Sequence, residues 1–258
     1  MVPGTALTGR FHFSTASLLI APMAQQKAMN PLTHSVGLVK NVRVEATPSK
    51  VDLTQGIMND VVASVNNGMP ITGSGEVYEY TSRNLAYGLS QDPTGLVDMA
   101  PPQAITAAVA AGATSFTTAA ANTFAVGDWG YIQEALDDQI HIFKVSAIST
   151  NTVTFTGYPV PTGLSFTTNA RVGEFNKIDA DPAKANNYFA VRVVGIAVDL
   201  STPVVLHFPK CRITKGFAMG FSSDNFSNLP FEWTPLVPVA TDPGYDADFR
   251  QRMQIFNR

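Results

Sequence analysis

From Ser35 onward the sequence is cut into short alternating or β-branched segments by proline, glycine and asparagine, and a chain written this way has to fold as sheets. Val42, Val44 and Ala46 fall on one face of an extended segment, while Asn41, Arg43 and Glu45 fall on the other. Pro48-Ser49-Lys50 breaks that run. Asn66-Asn67-Gly68 supplies residues that tolerate positive φ, which predicts a tight hairpin between one strand within 58–65 and another within 71–80. Strand signals return at 188–200, 204–208, 211–222 and 231–238. One helix is predicted: Thr81-Ser82-Arg83-Asn84 offers capping side chains ahead of Leu85, Ala86, Tyr87 and Leu89, and Pro93 with Gly95 closes it.

The texture of the chain divides it into four parts. Residues 1–33 lack periodicity and are punctuated by Pro3, Gly4, Pro22 and Pro31, which predicts an N-terminal arm. Residues 34–96 and 174–238 form the β core, and 239–258 return to a polar, irregular C-terminal arm. Between the two core segments, 97–173 are rich in Ala and Thr, with strand candidates at 115–118, 129–133, 139–148 and 152–155; they read as an inserted small β module. The stretch Phe11 to Ala24 has the outline of a signal peptide, but His12, Ser14, Thr15 and Ser17 interrupt it, so it is read as part of the mature chain. No run approaches the roughly 18 apolar residues of a membrane helix, so no membrane partner is expected.

Composition argues for a covered surface. Charged residues are 14% of the 258 and hydrophobic ones 45%, against a charged share of roughly 25% in ordinary soluble domains. The net charge is −3, from 17 basic and 20 acidic residues without a basic block, which argues against tight binding of a phosphate backbone. The single cysteine, Cys211, fits a small buried apolar position in a protein assembled in a reducing cytoplasm.

Catalytic chemistry finds no footing. His12, His34, His141 and His207 are scattered, and none has a second ligand at metal spacing. Gly73-Ser74-Gly75 lacks the Lys-Ser/Thr pair and the βαβ context of a phosphate loop; it marks a bulge or a close backbone approach. Asp179/Asp181 and Asp246/Asp248 read as turn residues, and Glu76 and Glu79 lie on opposite faces of an extended strand. No Gly-x-Ser-x-Gly elbow is present, and Cys211 has no activating partner. Neither an enzyme, nor a metal, nor a cofactor is expected.

Two stretches carry a family likeness. Residues 36–46 with 76–89, and 208–236 (FPKCRITKGFAMGFSSDNFSNLPFEWTPL), resemble the tail tube proteins of long-tailed bacteriophages. That resemblance implies a mainly β fold, a tail-tube-type β-sandwich or barrel with one flanking helix, here with the extended arms. The insertion at 97–173 departs from the family's pattern and is expected to face outward, because a module of its size would obstruct a narrow bore. The resemblance further implies six copies in a ring, rings stacked into a tube within the virion tail, contacts with other tail proteins, and transient, non-specific passage of DNA through the lumen. Under this reading Asp52, Asp60 and Glu76 are the candidates for lumen-facing charge, since Lys50 is the only basic residue between Ala46 and Tyr80. Pro48, Ser49, Lys50, Asn66, Asn67 and Gly68 are the candidates for a loop between rings. The alternatives are another virion structural protein, such as a tail terminator, baseplate or head decoration protein, or a carbohydrate-binding β module. Trp129, Tyr131, Phe231 and Trp233 motivate the last of these, although strand aromatics more often belong to a core.

Overall fold

The computed structural model describes residues 15–55, 60–135, 138–181, 187–196, 203–218, 220 and 228–257. Its elements begin with β1 (Thr15–Pro22), α1 (Pro31–His34), β2 (Val39–Ala46), β3 (Ser49–Gln55), β4 (Asp60–Gly68), β5 (Ile71–Val77) and α2 (Ser82–Gly88). Short strands follow: β6 (Gln103–Ala104), β7 (Ser115–Thr117), β8 (Trp129–Gln133), β9 (Ile140–Lys144), β10 (Ala147–Ser149), β11 (Thr152–Thr154) and β12 (Arg171–Phe175). The chain closes with β13 (Phe189–Ile196), β14 (Val204–Lys215), β15 (Leu229–Pro235) and β16 (Gln254–Asn257). The fold is mainly β, as the sequence predicts. Two compact units result, with boundaries at Thr94/Gly95 and Asp179/Ala180.

The first unit is a seven-stranded antiparallel sheet in the order β1-β13-β14-β15-β5-β2, with β16 beside the first half of β14. Its two ends meet, because the Val36 amide donates to the Leu18 carbonyl at 3.1 Å and β1 packs on β2. The curled sheet encloses a core of large rings, among them Trp233, Phe208, Phe231 and Phe189. Gly73 makes room for the indole: a Cβ there would lie 2.1 Å from Trp233 Cε2. The sequence predicts a bulge or a close backbone approach at Gly73; the register runs through it without a shift, and what approaches is a tryptophan side chain.

Helix α2 forms where its caps predict. The Thr81 side chain accepts from the Asn84 amide at 3.1 Å, satisfying one of the first-turn donors. The helix ends at Gly88, before Pro93, with Ser90 at a φ of 56°. Tyr87 pins it to the core, donating to the Ile20 carbonyl at 2.8 Å and meeting Phe189 edge-on with centroids 5.3 Å apart.

Three expectations need correction. Residues 1–14 lie outside the described residues, but Thr15–Pro22 are a fully paired strand and not an arm. Leu18 and Ile20 face the main core, while Leu19 and Ala21 face a second cluster with Met29 and Ala190, so the strand is buried on both sides and shows no alternation. At the other terminus, Gln254–Asn257 pair with β14, and Lys210 holds Asp242 through two contacts of 2.7 and 2.8 Å. That segment is docked on its own unit. Finally, Asn66-Asn67-Gly68 is no hairpin turn: it lies within β4, which pairs with β3, while β5 pairs with β2 and β15. Only Gly68 of the three takes a positive φ, 115°.

The second unit, Gly95–Asp179, has its own core of Phe116, Phe124, Phe143, Phe155 and Phe166. It lies between a four-stranded sheet, β6-β12-β8-β9, and a three-stranded one, β10-β11-β7. The predicted strand at 139–148 divides into β9 and β10. Thr150, at a φ of 50°, turns β10 into β11 at the predicted Ser149-Thr150-Asn151.

Candidate assembly surface

Strands β2 and β5 do not stop at the edge of the main sheet. Ala46 pairs with Ile71, the Thr47 amide donates to the Pro70 carbonyl at 3.2 Å, and Ser49 pairs with Gly68. The two strands therefore run on as β3 and β4, a two-stranded ribbon whose seven-residue β3 spans about 20 Å. Pro48 and Pro70 mark the joint, since a proline brings no N–H to the ladder. No side atoms approach Gly68, so its glycine serves the backbone turn at that joint rather than packing.

The register gives the ribbon two unlike faces. Val51 opposes Val65 and Leu53 opposes Ala63, while Lys50 opposes Asn66 and Asp52 opposes Ser64. Directly opposed antiparallel residues project to the same side, so one face is aliphatic and the other polar. The aliphatic face is open: Val51 is 55% exposed, Leu53 64% and Val65 66%. A bulge leaves Val62 as the extra residue opposite the step from Leu53 to Thr54, and Val61 and Val62 are exposed as well. Among the described residues no further strand pairs with either long edge of the ribbon, so both carry open backbone groups.

The candidate loop residues fall at the base of this ribbon. Ser49 and Lys50 pair with Gly68 and Asn66, and Asn67 is the extra residue of a second bulge. Ser49, Lys50, Asn66 and Gly68 are thus ladder residues and Pro48 lies at the joint, while the connection between β3 and β4 lies at 56–59, outside the described residues. The three candidate acids lie on three different strands, β3, β4 and β5. Asp52 belongs to the ribbon's polar face, Asp60 to its far end beside Gln55, and Glu76 to the main sheet.

Glu76 sits on the side of the main sheet turned away from the core. The Asn41 side chain hydrogen-bonds its carboxyl, the Tyr78 hydroxyl donates at 3.0 Å, and together they hold it below the usual carboxylate range. Asn41 reaches it from a bulge in β2, where it takes a left-handed φ of 53°. The face around it is of mixed charge. Arg43 pairs with Glu45, and Lys215 meets Glu232 at 3.2 Å. A groove of about 270 Å³ between these pairs is lined by Thr72, Ser74, Thr214 and Thr234. Residues 47–80 are poor in basic groups, but cations from β2 and β14 stand next to the acids of β5 and β15.

The remaining polar groups are structural in their contacts. His34 bonds the Gln25 side chain at 3.0 Å, and His141 the Tyr158 carbonyl at 2.9 Å. His207 is buried beside Arg192 and meets Phe249 edge-on; burial first, then the Arg192 charge, lower its pKa to about 4. Cys211 is fully buried, which raises its thiol pKa. Among the described residues no group of three or more His, Cys, Asp or Glu is placed to hold a metal, and no helix is long and apolar enough to cross a membrane.

No protein-family model matches the chain, and no curated protein matches it significantly. Among solved structures, it is similar in part to the tailspike gp61 of Pseudomonas phage phi297, at 22% identity and a TM-score of 0.26, over 30% of this chain and 14% of that one. It is similar likewise to the gp54 tailspike of Acinetobacter baumannii bacteriophage AP22, solved with a capsular saccharide, at 20% identity and a TM-score of 0.27, over 32% of this chain and 15% of that one. Neither is a tail tube protein, and overlaps at these TM-scores carry no inference about the present chain.

Proposed function

We propose that the chain is a structural subunit of a phage tail tube, assembling into hexameric rings that stack into a conduit for DNA, and that it is not an enzyme. The β3–β4 ribbon supports this reading most directly. An amphipathic ribbon with an open aliphatic face and, among the described residues, two unpaired edges is costly for a free subunit and suited to one that meets further copies of itself. The low charged share of the sequence points the same way. In such a ring, the mixed-charge outer face of the main sheet would line the lumen, with Arg43 answered by Glu45 and Lys215 by Glu232. Paired cations grip passing phosphates less than free ones do.

Negative-stain microscopy of the purified chain over a concentration series tests the reading. A tube subunit joins copies head to tail along an axis that does not close, so cylinders of stacked rings are expected. Single closed rings at every concentration would favour a terminator. Monomers throughout would sink the assembly reading altogether.

A further inference from the structure

The outward face of the sheet in the second unit carries rings where a solvated face would carry small polar groups. Register sets Phe175 beside Trp129 and Gly173 beside Tyr131, and then Tyr131 beside Ile142 and Trp129 beside Lys144. These residues share one face. The opposite face of the same strands sends Val172, Ile132 and Phe143 into the unit's core, so that core is complete without the rings. Phe175 and Ile142 are exposed, and Trp129 and Tyr131 are half-buried.

The rings are fixed as a platform. Tyr131 and Phe175 stack with centroids 4.5 Å apart at 28°, and Tyr158 supports Trp129 edge-on at 5.4 Å. Gly173 allows Tyr131 to lie down across β12, since a Cβ there would come within 2.8 Å of the ring. Donors rim the platform: Gln133 and Arg171 oppose each other at one end, and Lys144 stands 6.0 Å from the Trp129 centroid at the other. Lys177, 5.7 Å from the same ring, is paired with Asp179. Lys144 and Arg171 have no ion pair among the described residues, and β8, β9 and β12 place no carboxylate on this face.

We propose that this face binds an acidic polysaccharide. A pyranose ring presents a C–H face that stacks on aromatic rings, and its hydroxyls and carboxylate lie at the rim, where Gln133, Lys144 and Arg171 stand. The uncompensated cations select an anionic sugar over a neutral one. A second protein chain fits less well, because three positions from each of three strands fall far short of the roughly 20–30 residues a side in a standard protein interface. This inference does not depend on the tail-tube reading.

The chain has two tryptophans, and Trp233 is fully buried in the other unit, so a ligand-induced change in tryptophan emission reports on Trp129. The full-length protein is titrated with hexagalacturonate and hexamannuronate, with maltohexaose as the neutral sugar and polyglutamate as the polyanion without sugar rings. The uronates should shift the emission and bind best. Tyr131→Ala should weaken them about tenfold. Lys144→Glu, at an exposed strand position, should weaken them at low salt with an unchanged melting temperature, and it carries the test if Tyr131→Ala unfolds. The proposal is overturned if neither uronate binds, if maltohexaose or polyglutamate binds as well, or if both variants bind like the parent. Self-association that Tyr131→Ala abolishes, with no sugar bound, would assign the face to a protein contact and overturn it too.

Discussion

Leu53→Glu separates assembly from folding. Leu53 is 64% exposed, and its companions Val51 and Val65 are 55% and 66% exposed. Burying a Val or Leu side chain completely is worth about 1.5–3 kcal/mol, so covering what these three still show to water is worth about 3–5 kcal/mol per contact. Leu53 supplies roughly a third of that, and a carboxylate in its place adds a desolvation cost of at least about 2 kcal/mol. The concentration needed for assembly should therefore rise on the order of a hundredfold or more. The isolated subunit gives up almost nothing, because a substitution at an exposed site away from the core changes stability by about 0.5 kcal/mol or less. Sedimentation velocity across a dilution series measures the first quantity, and thermal melting of the dilute protein the second. An unchanged assembly threshold would refute the ribbon as a contact. A melting temperature lowered by several degrees would show that Leu53 packs within its own subunit.

Two further outcomes follow from the core of the first unit. Gly73→Ala forces a Cβ to 2.1 Å from the fully buried Trp233, so it should cost about 1–3 kcal/mol in urea unfolding and alter the near-UV circular dichroism, whereas Ser74→Ala on the outer face should do neither. His207 titrates near 4 in the folded protein against 6.5 ordinarily, so between those values the unfolded chain takes up a proton that the folded one does not; its contribution of about 3 kcal/mol is complete above pH 6.5, is lost as pH falls, and levels off below 4. His207→Gln should flatten that part of the stability profile, and an unchanged slope would mean that His207 is not the group responsible.

The parts of the fold legible in the sequence are those where one local signal has one physical cause. Thr81 caps α2 because its hydroxyl meets the Asn84 amide, and nothing distant is needed to make that true. In β2, Val42 and Val44 lean on the core while Arg43 and Glu45 face outward, since a strand with one covered face must alternate. Strand β1 defeats the same logic. Leu18-Leu19-Ile20-Ala21 is apolar throughout because the main core lies on one side and the Met29 cluster on the other, so no period marks it as a strand. Asn66-Asn67-Gly68 misleads for a related reason: positive φ is needed at the joint between ribbon and sheet, and a joint and a hairpin turn call for the same residue types.

The surfaces were harder to read, because an alternating strand announces that something covers one face without saying what does. Val51 and Leu53 alternate with Lys50 and Asp52 as cleanly as any core strand, yet their aliphatic face is open. The four aromatics on β8 and β15 show what decides such cases. In β15, Phe231 and Trp233 alternate with Pro230, Glu232 and Thr234, so the rings are the strand's apolar face and both are fully buried. In β8, Trp129 and Tyr131 alternate with Gly130 and Ile132, which leaves two faces competing for the core. Gly130 settles that competition. A Cβ at its position would lie 2.6 Å from Phe143 and 2.7 Å from Phe124, so the glycine opens the space those rings occupy, and Ile132 joins them at 0% exposure. Once that side is filled, Trp129 and Tyr131 must face outward, and a pair of aromatics that composition alone would assign to the interior becomes a surface.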